Sequence, residues 1–270
     1  MAMTMDDHAK YRERTVIVTG ASKGIGRAIA KSCVGLGANV VAVYKSDDRA
    51  ACDLKRESVG NLQIIKADIS KESEVRRVIN ETVDAFGSID VLVNNAGIGN
   101  LTSIMDCTLE EWNEILSVNL TSIFLFTKHA AQFLEKSSDG LIINVSSRRG
   151  LFENNAYGTA AYAASKAAVI RFTLDASREL ACCGIRVNAI IPTVTKNSSL
   201  FDRIVTKQEK KQFEREGKVG TLGEAVDLVM ELIDDSSANG KILVDRRVAF
   251  NSKAWVFARS KCFETTGSIG

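Results

Sequence analysis

Apolar positions along this chain repeat in two alternating rhythms. Compact β-favouring runs at Thr15–Val18, Asn39–Tyr44, Leu62–Ala67, Ile89–Val93, Leu141–Val145, Ile185–Ile191 and Ile242–Val244 predict strands, the fourth buried on both faces. Between them the spacing turns helical. Ile25, Ala28, Ile29, Ser32, Cys33 and Leu36 share one face, as do Val75, Val78, Ile79, Val83 and Phe86, and later Ala225, Val226, Leu228, Val229, Leu232 and Ile233. The polar stretch 45–59, the apolar-rich Leu109–Leu134 and Tyr162–Leu180 fill the other intervals as helices. The alternation predicts an α/β fold, a doubly wound, seven-stranded parallel sheet with helices on both faces.

In such a sheet ligands gather beyond the carboxyl ends of the strands, so the residues that follow each strand carry the functional signal. The first strand runs into GASKGIG, where Gly20, Gly24 and Gly26 let a pyrophosphate approach the backbone and the start of the next helix. The spacing is G-x-x-x-G-x-G, not the commoner G-x-G-x-x-G. Tyr44-Lys45 follow the second strand, Asp68 the third, Asn94-Asn95-Ala96-Gly97 the fourth, Ser146-Ser147 the fifth and Pro192-Thr193 the sixth. Any one of these could be an ordinary turn; together they describe a rim around a dinucleotide. Tyr162 and Lys166 stand four apart on a helix, one turn along the same face, so the ammonium can stabilise a tyrosinate. The competing reading is a core tyrosine beside a snorkelling lysine. Tyr157 has only Ala161 at the equivalent spacing.

Composition narrows the function classes. With 270 residues, 45% hydrophobic and 25% charged, the chain suits one globular domain, 15–248, between a polar N-terminal tail, 1–14, and a C-terminal tail, 249–270. The net charge of +2 comes from 35 basic and 33 acidic residues mixed along the chain, without the basic block of a nucleic-acid groove. Cys33, Cys52, Cys107, Cys182, Cys183 and Cys262 show no metal-ligand spacing and read as reduced thiols. His8 and His129, the two histidines, stand far apart, and His8 lies in the polar tail, so a Ser-His-Asp triad has few candidates. No signal core or membrane-length apolar run occurs, which predicts a cytoplasmic protein without metal, nucleic-acid or membrane partners.

TGASKGIG, NNAG, NVSS and YAASK, each at its strand end, together resemble the short-chain dehydrogenase/reductase family over about Thr15–Asp245. The resemblance implies a Rossmann-type oxidoreductase resembling 3-oxoacyl and carbonyl reductases. It would move a hydride between a nicotinamide and a ketone, secondary alcohol or 3-oxoacyl-type substrate. It further implies that Tyr162 is the general acid, that Lys166 lowers its pKa and holds the cofactor ribose, that Ser147 rather than Ser146 binds the substrate oxygen, and that Asn119 kinks its helix and supports a water relay. Cofactor contacts fall on Gly20, Ser22, Lys23, Gly24, Ile25, Gly26, Lys45, Asp68, Ile69, Asn94, Ala96, Gly97, Tyr162, Lys166, Pro192, Thr193 and Thr195.

The sequence departs from the family pattern in places. Ser147 to Tyr162 is two residues longer than usual, Pro192-Thr193 replaces Pro-Gly, Asn197 replaces a threonine for which Thr195 can stand in, and Asp245-Arg246-Arg247 replaces Asp-Gly-Gly, followed by Phe250, Trp255, Phe257 and Phe263. NADP(H) is favoured, because Tyr44 takes the place of the acid that holds the ribose of NAD, and Lys45 and Lys23 flank a 2′-phosphate. Asp47 and Asp48 keep NAD(H) open unless they cap the next helix. Alternatives are an NAD-dependent secondary-alcohol dehydrogenase, a non-catalytic dinucleotide-binding regulator, and a methyltransferase, which would need no Y-x-x-x-K. Arg148 and Arg149 are either solvated surface or an attraction for an anionic substrate or carrier. Apolar outer faces on Leu109–Leu134 and Tyr162–Leu180 predict a homo-oligomer, a tetramer or dimer.

Overall fold

Seven parallel strands carry the chain, β1 (Thr15–Thr19), β2 (Asn39–Tyr44), β3 (Leu62–Lys66), β4 (Val91–Asn94), β5 (Leu141–Val145), β6 (Arg186–Ile191) and, after a detour, β9 (Ile242–Val244). They form one sheet in the order β3-β2-β1-β4-β5-β6-β9 in a computed structural model that describes residues 10–151, 157–195 and 199–245. The order reverses between β1 and β4, and the crevice above that junction is where such sheets bind ligands. The pleat divides the apolar runs as the sequence pattern requires. Val16, Val18, Val40 and Ala42 face a core containing Ile29, Cys33 and Val229, while Ile17, Val41 and Val43 face another containing Val75, Ile79, Phe126 and Ala176.

The first core is covered by α1 (Gly24–Gly35), α2 (Asp48–Glu57) and α9 (Leu222–Asp234), the second by α3 (Glu72–Phe86), α5 (Ser122–Leu134) and α6 (Ala160–Glu179). The predicted long helix Leu109–Leu134 is three pieces. It runs as α4 (Leu109–Leu116), one π-helical turn (Ser117–Thr121) that contains Asn119, and α5. A π turn inserts a residue into the helical ladder and re-aims the side chains beside it. The predicted helix 45–59 starts only at Asp48, because Asp47 accepts the Ala50 N–H at 2.9 Å and caps it.

The polar, charged stretch 196–220 contains α7 (Ser199–Ile204) and α8 (Lys207–Arg215), bracketed by the small parallel pair β7 (Val194–Thr195) and β8 (Val219–Gly220). Tyr11, assigned by sequence to the polar tail, is fully buried and donates to Asp234 at 3.0 Å, so the packed body extends at least to that residue. His8, Asn197, Arg246, Arg247, Cys262, the aromatic residues of the C-terminal tail and the centre of the lengthened loop 148–161 lie outside the described residues. Among the described residues, no helix is long and apolar enough to cross a membrane.

Candidate active site

A cleft of about 570 Å³ runs over the carboxyl ends of β1 to β6. At one end lies the glycine turn. Gly20 has φ +67°, and a Cβ there would sit 2.8 Å from Ala96 Cα. At Gly26 a Cβ would collide with Asn95 Nδ2 and lie 2.5 Å from Gly20 O, so this glycine serves packing under the turn and does not line the cleft. α1 begins at Gly24 without a side-chain cap and without an acidic residue in its first turn. Its leading N–H groups and dipole are therefore available to an anion, a cradle that fits a pyrophosphate.

The fourth strand end divides its labour in a way that corrects the sequence reading. Asn94 is buried and donates to Asn144 Oδ1 at 2.9 Å, joining β4 to β5 away from the cleft. Asn95, not included among the expected contacts, lines the cleft and donates to Thr19 O at 2.8 Å, while Thr19 Oγ1 accepts the N–H groups of Asn95 and Ala96 at 3.0 Å each. The doubled asparagine was visible in the sequence; strand phase decided which one faces the ligand. Ser22, Lys23, Gly24, Ile25, Lys45, Asp68, Ile69, Ala96, Gly97, Pro192 and Thr193 line the cleft as expected. Thr195 lies in β7, paired with Gly220 of β8.

At the β2 rim each cation meets a carboxylate. Lys23 Nζ is 2.5 Å from Asp47 Oδ2 and Lys45 Nζ is 3.2 Å from Asp68 Oδ2. Asp48 accepts from Tyr44 Oη at 3.0 Å and Lys66 Nζ at 2.9 Å, so neither aspartate that kept NAD(H) open is without a protein partner.

At the other end Ser147 and Tyr162 line the cleft together, the serine hydroxyl near enough to act on the phenol. Ser146 is buried and donates to Lys166 O at 2.8 Å, which leaves Ser147 as the serine facing the phenol. Burial raises the Tyr162 pKa above its ordinary 10.0, and the Ser147 hydroxyl and the Arg149 charge pull it back. Lys166, from which this pull was expected, does not supply it here. Its Nζ lies 5.9 Å from the Tyr162 ring centroid and donates to Val145 O at 2.8 Å, and burial depresses its pKa to about 8. Sharing a helix face brought the two side chains together, but the carboxyl end of β5 captured the ammonium. Tyr157 is 81% exposed and stands outside the cleft.

Asn119 is completely buried in the π turn. Its Oδ1 accepts from Ile98 N at 2.8 Å, and its Nδ2 donates to Ile98 O and Ser165 Oγ, each at 2.9 Å. It thus fixes the β4 exit against α6, satisfying a buried amide that would be costly to leave unpaired.

The wall above Tyr162 comes from stretch 196–220. Ile204, Val205 and Phe213 of the α7–α8 segment pack against the tyrosine. Glu209 closes a capping box with Thr206 and, with its other oxygen, meets Arg149 Nη2 at 3.0 Å; Arg149 also donates to Ile204 O. Arg149 is therefore a buried strut between the Ser147 loop and α8, not solvated surface. The T-x-x-E spacing at Thr206 and Glu209 was the available sequence signal.

Comparison with known proteins agrees with this architecture. A family model described as short chain dehydrogenase matches residues 14–209. A 3-oxoacyl-[acyl-carrier-protein] reductase of Synechocystis is 40% identical over 182 residues, 66% of this chain and 73% of that protein. 3beta-Hydroxysteroid dehydrogenase 1 of Eggerthella lenta is 36% identical over 219 residues, 80% of this chain and 83% of that one. Among solved structures, a Serratia marcescens short-chain dehydrogenase/reductase variant superposes with a TM-score of 0.81 at 26% identity, covering 89% of this chain and 100% of its own.

Proposed function

Because the chain belongs to the short-chain dehydrogenase family, oxidoreductases that act on CH–OH and C=O groups with a nicotinamide cofactor, we propose that it is an NADP(H)-dependent reductase of a ketone or 3-oxoacyl-type substrate, run oppositely as a secondary-alcohol dehydrogenase. The observation that carries this reading is the shared cleft, with an uncapped glycine-rich helix start at one end and the neighbouring Ser147 and Tyr162 hydroxyls at the other. When bound, the cofactor supplies the hydride that reduces the carbonyl carbon. Tyr162 Oη gives its proton to the carbonyl oxygen while Ser147 Oγ hydrogen-bonds that oxygen and fixes its direction. Lys166, anchored on β5, holds the ribose and delivers positive charge beside the phenol once cofactor is in place. Asn119 keeps the β4 exit and α6 in register behind it and supports the return of a proton from water.

NADP(H) is favoured over NAD(H) because β2 ends in Tyr44 and not in a carboxylate, with Lys45 and Lys23 close by. A 2′-phosphate must draw these cations away from Asp68 and Asp47, and the expected preference is about tenfold or more, which takes only ~1.4 kcal/mol. We further propose that residues 15–248 act as one catalytic domain of a cytoplasmic homotetramer or dimer. Leu109, Trp112 and Phe124, exposed on α4 and α5, are the apolar surface that pairing would cover. Light scattering at the 29.3 kDa of one chain would reject assembly.

The test is a carbonyl and alcohol panel with NADPH, NADH and their oxidised forms, followed at the nicotinamide absorbance. Tyr162→Phe should lower kcat about 10²- to 10⁴-fold while cofactor binding persists. A non-catalytic regulator would bind cofactor and turn over nothing, and a variant within about threefold of the parent would place the acid elsewhere.

A further inference from the structure

Arg148 follows Ser147 directly and lines the substrate end of the cleft, where its guanidinium stacks on the Phe213 ring with 4.4 Å to the centroid. The stacking covers one flat face of the group and leaves its N–H edge unused. Among the described residues the Arg148 side chain makes no hydrogen bond and no ion pair, although the two carboxylates that act on it, Glu209 and Glu216, are nearby. Both are already taken, Glu209 by Arg149 at 3.0 Å and Glu216 by Lys218 at 2.6 Å. Arg203, exposed on α7, adds a second cation to the same wall and also has no ion-pair partner among the described residues. A half-buried guanidinium is costly to hold without an anion, and burial together with the adjacent Arg149 lowers its pKa. The planar fork that remains matches a carboxylate or phosphate edge, which it can bind bidentately.

We propose that Arg148 is a specificity-determining residue that selects ketones carrying an anionic group, a carboxylate or a phosphate ester, by pairing with that group while the carbonyl meets Ser147 and Tyr162. The proposal rests on the reductase reading and narrows its substrate class. Arg149, its neighbour, takes no part in recognition because its charge is spent on Glu209.

The experiment compares oxo acids of graded carbonyl-to-carboxylate spacing with their methyl esters, and dihydroxyacetone phosphate with dihydroxyacetone, all with NADPH. The wild-type enzyme should prefer at least one anionic member over its neutral partner by tenfold or more in kcat/KM, mainly through KM. Arg148→Leu should erase that ratio and Arg148→Lys should retain part of it, since a point charge without the fork still attracts an anion. The carboxylate and phosphate arms identify which anion is taken. Turnover without a charge preference, or a ratio that survives Arg148→Leu, would overturn the assignment alone. A wild-type protein that binds NADPH and reduces no ketone would overturn the reductase reading and this proposal with it. Circular dichroism and the NADPH dissociation constant of each variant separate loss of recognition from loss of fold.

Discussion

Replacing Lys166 by methionine should change how stability depends on pH. The lysine is 3% exposed and its ammonium has one protein acceptor, Val145 O, so burial lowers its pKa from 10.5 in an unfolded chain to about 8 in the folded one. Below pH 8 both states carry the proton, and the folded state bears the full cost of the buried charge. That gap corresponds to about 3 kcal/mol at 1.36 kcal/mol per unit. Between pH 8 and 10.5 the unfolded chain binds a proton that the folded chain has shed, so wild-type stability rises with pH relative to a variant without the group. Methionine fills nearly the same volume and has no charge. It also removes a donor from Val145 O, a loss of about 1 kcal/mol or more that does not change with pH. The difference in unfolding free energy between the two proteins should therefore move by roughly 2–3 kcal/mol in favour of the wild type between pH 7 and pH 10. Urea unfolding at both pH values, followed by tryptophan fluorescence, measures it, and all other titrating groups cancel in the comparison. Parallel behaviour of the two proteins to within about 0.5 kcal/mol would refute a buried, depressed lysine. The variant should also lose turnover, a stability cost retained at a functional position.

Other perturbations probe other parts of the molecule. Lys45→Ala should raise KM for NADPH and leave that for NADH within about twofold, narrowing the ~1.4 kcal/mol preference; an equal effect on both would favour dual use. Glu209→Gln keeps a capping side chain for Thr206 and removes the charge facing the buried Arg149, so a loss of about 3 kcal/mol in urea unfolding is expected, and a loss below about 0.5 kcal/mol would show that the strut contributes nothing. Gly26→Ala should destabilise by about 1–3 kcal/mol through collision with Asn95 and Gly20, whereas Gly35→Ala, whose Cβ meets nothing within 4 Å, should be neutral or slightly stabilising; similar results for the two would mean that the turn is not tightly packed.

The periodicity of apolar residues by itself determined the fold, because a strand buried on both faces and a helix with one apolar stripe leave different signatures within a few residues. The sheet runs through the predicted segments with ends shifted by a residue or two, and the residues at strand ends mark the cleft because topology puts every carboxyl end on one side. Tertiary structure decided what depends on phase and on distant partners. Asn94 and Asn95 are neighbours of the same type, and the pleat alone assigns one to Asn144 and the other to the glycine turn. Tyr162 and Lys166 share a helix face as their spacing requires, yet Val145 O, from a strand 21 residues before the lysine, determines where the ammonium goes. Asn119 and Arg149 are polar side chains in buried positions that local sequence reads as a helix contact or as surface. Their partners, Ile98 with Ser165 and Glu209 with Ile204, come from elements distant in sequence, and only folding brings those hydrogen-bonding groups into reach.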